Sequence, residues 1–204
     1  DQAFVLTESF NDYLYSHDQI RDWFIMIDSS SFDLFLVGML FLYKADKLQS
    51  FSLFLAIFIS SSSKTVIAQY LMTLGRSPGY NFYFPGLYSM VVPYHDIYDF
   101  YFSGHMAITA ILIYFMYGLV KKHPEVDLFY WALWFLKFIK VPYLVIYMFG
   151  LRSHYSIDFT SGFCMGILCA MLAEKLSYLI DECAFDLKLR SKDKVRYRVC
   201  PKCR

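Results

Sequence analysis

Long apolar runs separated by short polar stretches dominate the chain. A run of roughly 20 apolar residues can cross a bilayer core about 30 Å thick, and five such runs can be drawn. The first, 23–43, holds Asp28 and Asp33, so it either crosses only from about Phe32 or includes an interfacial turn at Ser29, Ser30 and Ser31. The second, 51–74, carries Lys64, whose stem either snorkels to the surface or turns its charge towards a protein interior. The third, 105–120, is short and clean. The fourth, 128–150, contains Lys137, Lys140 and Pro142, which predict a kink and one face turned from lipid. The fifth, 156–180, is uninterrupted until Glu174. The pattern predicts an all-α, polytopic transmembrane bundle of five to six spans. It divides into an interfacial segment 1–22, a membrane core 23–181 and a basic tail 182–204.

Of the connections, only 75–102 is long. Gly75, Pro78, Gly79, Pro85, Gly86 and Pro93 forbid a continuous helix there. Its tyrosines and phenylalanines suit the headgroup interface, so it reads as a membrane-hugging cover over a site. The connections 44–50 and 121–127 are shorter, and that around 151–155 is tight.

Composition agrees with a membrane as solvent. The apolar fraction is 57%, the aromatic fraction 21% and the mean hydropathy +0.39, more than soluble domains carry. A net charge of +1 conceals Lys188, Arg190, Lys192, Lys194, Arg196, Arg198, Lys202 and Arg204, crowded at the end. These, with Lys44, Lys47, Lys121 and Lys122, mark one side as cytosolic by the positive-inside rule. Arg76, Arg152, His154 and the start of the third span then share the lumenal or exoplasmic side.

Five cysteines imply no disulfide framework. Cys164 and Cys169, inside an apolar run, are expected to pack as small hydrophobes. Cys200 and Cys203 make half of a zinc site at best, with no second pair nearby. The first residues have neither a basic region nor an apolar stretch ending in small residues, so they are not read as a signal peptide.

Two stretches carry chemistry. His105 follows Ser103 and Gly104 at the start of the third span, where free backbone N–H groups and the helix dipole favour a phosphate and glycine permits close approach. His154 begins the fifth span with Asp158 four residues on, a spacing that places both on one helical face. A carboxylate can then orient an imidazole, one histidine can attack phosphorus and another can protonate the departing alkoxide. His17, His95 and His123 read as hydrogen-bonded interfacial side chains.

The stretches DFYFSGHMAI and LRSHYSIDFTSGF resemble the third and fourth signature motifs of sphingomyelin synthases, within the type 2 phosphatidic acid phosphatase superfamily. Plant phosphatidylcholine:diacylglycerol cholinephosphotransferases are similar too, and QYLMTLGRSPGYNF stands where those transferases carry a Thr-Leu-Pro-x-Pro stretch. The likeness covers about 64–175. It implies a triad of His105, His154 and Asp158; Ser103 and Gly104 at the helix start are candidates to hold the phosphate, and Arg76 and Arg152 could supply part of the charge. Tyr98 and Tyr101 are candidates to hold a choline by cation–π attraction, worth about 0.5–2 kcal/mol each; the plainer reading of these rings is an interfacial belt.

Hydrolytic relatives have a Lys and an Arg-Pro before the Ser-Gly-His, a Pro before its Ser and an Arg ahead of the nucleophilic His. Here Arg76-Ser77-Pro78, Phe102 and Met148 stand at those places, which favours the transferase branch. The implied donor is a membrane phospholipid and the acceptor ceramide or diacylglycerol, in the Golgi, endoplasmic reticulum or plasma membrane. No metal or other cofactor and no nucleic acid is called for; a second copy or another membrane subunit could pair with the chain. A lipid phosphate phosphatase and a non-catalytic subunit that inherited the fold stay open as alternatives.

Overall fold

The structure, a computed structural model, describes residues 12, 13, 16, 17, 19–23, 27, 47–70, 103–150 and 156–199. Side chains at 68–70, 147–150, 156 and 184–199 are outside that description. The main helices are α1 (Lys47–Tyr70), α2 (Gly104–Lys122), α3 (Asp127–Phe135), a π turn (Leu136–Lys140), α4 (Val141–Gly150) and α5 (Ser156–Val199). Among the described residues there is no strand. The protein is a polytopic helical bundle; among the described residues four helices are long and apolar enough to cross a membrane, Lys47–Ile67, Gly104–Lys122, Asp127–Ile146 and Ile157–Cys183. The expected first span falls almost wholly outside the described residues.

Helix α2 is the central element. Half of its span is buried, against 28% in each of the others, and seven consecutive residues, Met106 to Leu112, are buried. Seven positions cover two turns, so this half of α2 is enclosed on all sides. Helices α1, α2 and α5 pack mutually, while α3, the π turn and α4 lie against α2. The helix starts where Ser103, in extended backbone (φ −70°, ψ 113°), accepts the Met106 N–H on its Oγ at 3.3 Å, an N-cap. It ends where the His123 N–H donates to Leu119 O at 2.8 Å, and Lys121 and Lys122 complement the dipole in its last turn. At 1.5 Å per residue its 19 residues reach about 28 Å, enough to put the two ends in opposite leaflets.

The expected kink in the fourth span has a definite backbone form. The Val141 N–H donates to Leu136 O, five residues back, immediately before Pro142. Proline has no N–H to donate and its ring crowds the carbonyl four residues earlier; widening the preceding turn relieves both. One face does turn inward: Phe129, Leu133, Leu136, Lys140 and Leu144, spaced by three and four, are all buried. Lys137 is on the outside instead.

The outer surface is apolar, as lipid demands: Phe58, Leu128, Trp131, Phe138, Ile157, Leu168 and Leu179 are exposed. Buried hydroxyls bond back to the helix, Ser52 Oγ to Leu48 O at 2.9 Å and Ser177 Oγ to Ala173 O at 2.7 Å. Cys169 packs inside as expected, but Cys164 is exposed. Five residues apart is about 500° of helix rotation, so the two thiols cannot share one inward face. The tail also differs from a simple end to the fifth span. Helix α5 continues 16 residues past Cys183 to Val199, since that stretch has no glycine or proline before Pro201.

Candidate active site

The N-terminal end of α2 is held directly on the first turn of α5. Ser103 N–H donates to the Asp158 backbone O at 2.9 Å, and Ser161 Oγ donates to the same oxygen at 3.2 Å. Both Ser103 and Asp158 are fully buried. The two motifs, 55 residues apart in the chain, are thus joined by a backbone hydrogen bond, and Gly104 and His105 follow at once in the first turn of α2. His105 is half-buried, and its carbonyl accepts from Thr109 Oγ1 at 2.8 Å.

This approach depends on two glycines of α5. A Cβ at Gly162 would lie 2.5 Å from Ser103 O, and one at Gly166 would lie 2.3 Å from Ala107 O and 2.8 Å from Ala110 Cβ. No side chain fits at such separations, so the α2 backbone rests on the glycines themselves. The Gly-x-x-x-Gly spacing, which lets helices approach closely in membranes, continues into buried Ala170 and Ala173. Further along the seam, Tyr114 OH donates to Glu174 Oε2 at 2.6 Å. That bond gives Glu174, the carboxylate deep in the fifth apolar run, a partner inside the bundle.

A cation completes the end of α2. Leu53, Ala56 and Ser60 of α1 are buried at spacings of three and four residues, and Lys64 continues that stripe one turn on. Its ammonium reaches the start of α2: a Cβ at Gly104 would lie 3.1 Å from Lys64 Nζ. Of the two readings open for Lys64, the interior-facing one describes the structure. The positive end of the helix dipole and an ammonium group therefore meet at one point, beside a glycine that leaves the backbone accessible.

The structure brings Ser103, Gly104, His105 and Asp158 together. His154, Arg152, Arg76, Tyr98 and Tyr101 lie outside the described residues. Helix α5 begins at Ser156, after His154. The other interfacial histidines that can be described have local partners. His17 stacks on Tyr13 with centroids 4.3 Å apart, and His123 Nδ1 lies 3.4 Å from Glu125 Oε1. Sequence reasoning passed over Gly162 and Gly166, although their spacing was a readable signal. The place of Lys64 depends on how α1 rotates about its axis and had no signal within its own motif.

Residues 98–175 match the family described as PAP2 superfamily C-terminal. The matched segment contains Ser103, Gly104, His105, His154 and Asp158 and leaves out Lys64 and Arg76. It supports the type 2 phosphatidic acid phosphatase superfamily, and so an integral membrane enzyme acting on phosphate esters. The match does not distinguish the sphingomyelin synthase branch. No curated protein and no solved structure matches the chain.

Proposed function

We propose that the protein transfers a phosphoryl headgroup, phosphocholine or phosphoethanolamine, from a glycerophospholipid to ceramide or diacylglycerol. The observation that carries phosphoryl chemistry is the α2 start: a capped, glycine-bearing helix end with Lys64 Nζ against it, bonded to the turn that holds Asp158. An N-terminal dipole and an ammonium group at one point suit the non-bridging oxygens of a phosphate.

In the proposed reaction, His154, oriented by Asp158, attacks phosphorus. The bond from phosphorus to the diacylglycerol oxygen breaks, and His105 gives that oxygen a proton. The headgroup then sits on His154 as a phosphohistidine. The acceptor hydroxyl returns a proton to His105 and takes the phosphoryl group, restoring His154. Lys64, Arg76 and Arg152 neutralise the phosphate, and Tyr98 and Tyr101 receive a choline. By the distribution of lysines and arginines, the site opens on the lumenal or exoplasmic side.

The choice of transferase follows the resemblance of the two motifs. Lys64 favours a second reading, a lipid phosphate phosphatase in which water replaces the lipid acceptor, because it supplies a cation to a cradle that otherwise looks incomplete. Labelled phosphatidylcholine or phosphatidylethanolamine, offered with ceramide, diacylglycerol or neither, separates the two. Labelled sphingolipid or exchanged glycerophospholipid is the expected product. Released headgroup without dependence on either acceptor would replace the transferase by the phosphatase. No phosphorus chemistry with any combination would leave an inherited-fold subunit. Lys64→Met should depress transfer and release alike, because both need the same phosphate site.

A further inference from the structure

At the opposite end of α2 a second set of cations gathers, and nothing in the proposed reaction uses it. Tyr117 and Lys121 are one turn apart on α2, both exposed. Lys121 Nζ lies 4.5 Å from the centre of the Tyr117 ring. Lys137, ten residues into the span of α3 and the π turn, sends its ammonium to the same ring, 5.5 Å from its centre. An isolated intramembrane lysine would be expected to run its stem towards water. Lys137 runs its stem to the level of the α2 end, where two ammonium groups share one ring, and like charges in a partly apolar setting repel. Neither lysine has an ion-pair partner among the described residues. The nearby Glu125 is beside His123. An anion shared by the two ammonium groups would offset that repulsion.

The surroundings select the anion. Trp131, Trp134 and Phe138 form an exposed ladder down α3 and the π turn, with ring centroids 6.1 Å and then 5.8 Å apart. Trp134 is three residues from Lys137 and so lies on the same side of the helix. A cationic head beside an apolar aromatic strip has the polarity of one phospholipid molecule. We propose that Lys121, Lys137 and Tyr117 bind the phosphate of an anionic phospholipid, whose acyl chain lies along Trp131, Trp134 and Phe138. The two ammonium groups and the Tyr117 hydroxyl donate to the non-bridging oxygens. The site lies in the leaflet opposite Gly104, since α2 spans between them. The positive-inside rule makes that leaflet cytosolic, the one rich in anionic lipid.

Phosphatidylcholine also carries a phosphate, but its quaternary ammonium would have to settle among two lysines. The ring that could receive it already has both ammonium groups within 5.5 Å. The site therefore discriminates by headgroup charge.

The proposal is independent of the reaction assigned to the other end of α2, and its test reads binding alone. The full chain in detergent is titrated with phosphatidylglycerol or phosphatidylcholine and lipid retention is read by native mass spectrometry. Phosphatidylglycerol is expected to be retained about tenfold more tightly, the order that two surface ammonium groups imply. K121Q/K137Q should remove the preference, and K121R/K137R should keep it. Lys47→Gln, an exposed lysine at the start of α1, should change nothing. Equal retention of the two lipids by the unaltered protein overturns the proposal without recourse to any variant. So does an unchanged preference in a K121Q/K137Q protein of normal melting temperature. Displacement of phosphatidylglycerol by inorganic phosphate at equal concentration would show a small-anion site and overturn the lipid assignment. If the glutamine pair fails to fold, Trp131→Ala decides: weaker retention of both lipids supports the acyl strip, and no change refutes it.

Discussion

Helix α2 meets α5 and α3 in opposite ways. Towards α5, Gly162 and Gly166 bring backbone onto backbone, leaving no room for one added carbon beside Ser103 O and Ala107 O. Towards α3, aromatic rings and lysine stems make the outer contacts, and much of that surface is exposed. Backbone resting on glycine cannot repack by changing rotamers, so this end of the seam holds the Ser103 to Asp158 hydrogen bond in one geometry. A surface of long side chains can shift its rotamers against the lipid that adjoins it. Positioning chemistry and contacting lipid thus fall to different faces of one helix.

Gly166→Leu should break the comparison most severely. Its side chain meets backbone that cannot move aside, and the cost is expected to be about 3 kcal/mol or more, at the upper end for overpacked cores. Loss of monodisperse protein on size exclusion, or a large fall in melting temperature, is the readout; a normal melt would mean the seam is looser than described. Asp158→Asn comes next and separates site from scaffold. The backbone oxygen that accepts from Ser103 and Ser161 is unchanged, so folding should persist while turnover of labelled phosphatidylcholine falls about a hundredfold or more.

A smaller effect belongs to Tyr114→Phe, which removes the donor to Glu174. Bonds of this kind between membrane helices average about 0.6 and reach about 1.7 kcal/mol, and the melting shift should correspond to that range. Conversion of Glu174 to Gln in the same background tests the pair: the two changes should be less than additive. Trp131→Leu, on the lipid-facing side, should alter stability by no more than about 0.5 kcal/mol and leave turnover intact. A marked loss of activity there would tie the two faces of α2 together.

Much of the bundle was legible because hydropathy accumulates residue by residue along one segment. The third span and the irregularity before Pro142 follow from local residues, and so does an inward face in the fourth span. The expectation for Cys164 failed because an apolar run does not say which way each position faces once every face of a helix is apolar. Lys64 illustrates the same limit for a charge: its sequence neighbours allow both a snorkelling and an interior position, and only the rotation of α1 against α2 selects between them.

The sequence by itself determined where the described membrane helices form and which two motifs carry the candidate chemistry, since solvent preference and motif spacing are properties of contiguous residues. Only the tertiary structure decided that Gly162 and Gly166 bring Ser103 onto the Asp158 turn, that Lys64 closes the helix end, and that Lys121 and Lys137 converge on one ring. Each of these joins segments far apart in the chain. In lipid, where apolar burial does not drive one helix onto another, such pairings are set by close packing and a few polar contacts between separate helices, and these come into being only when the helices meet.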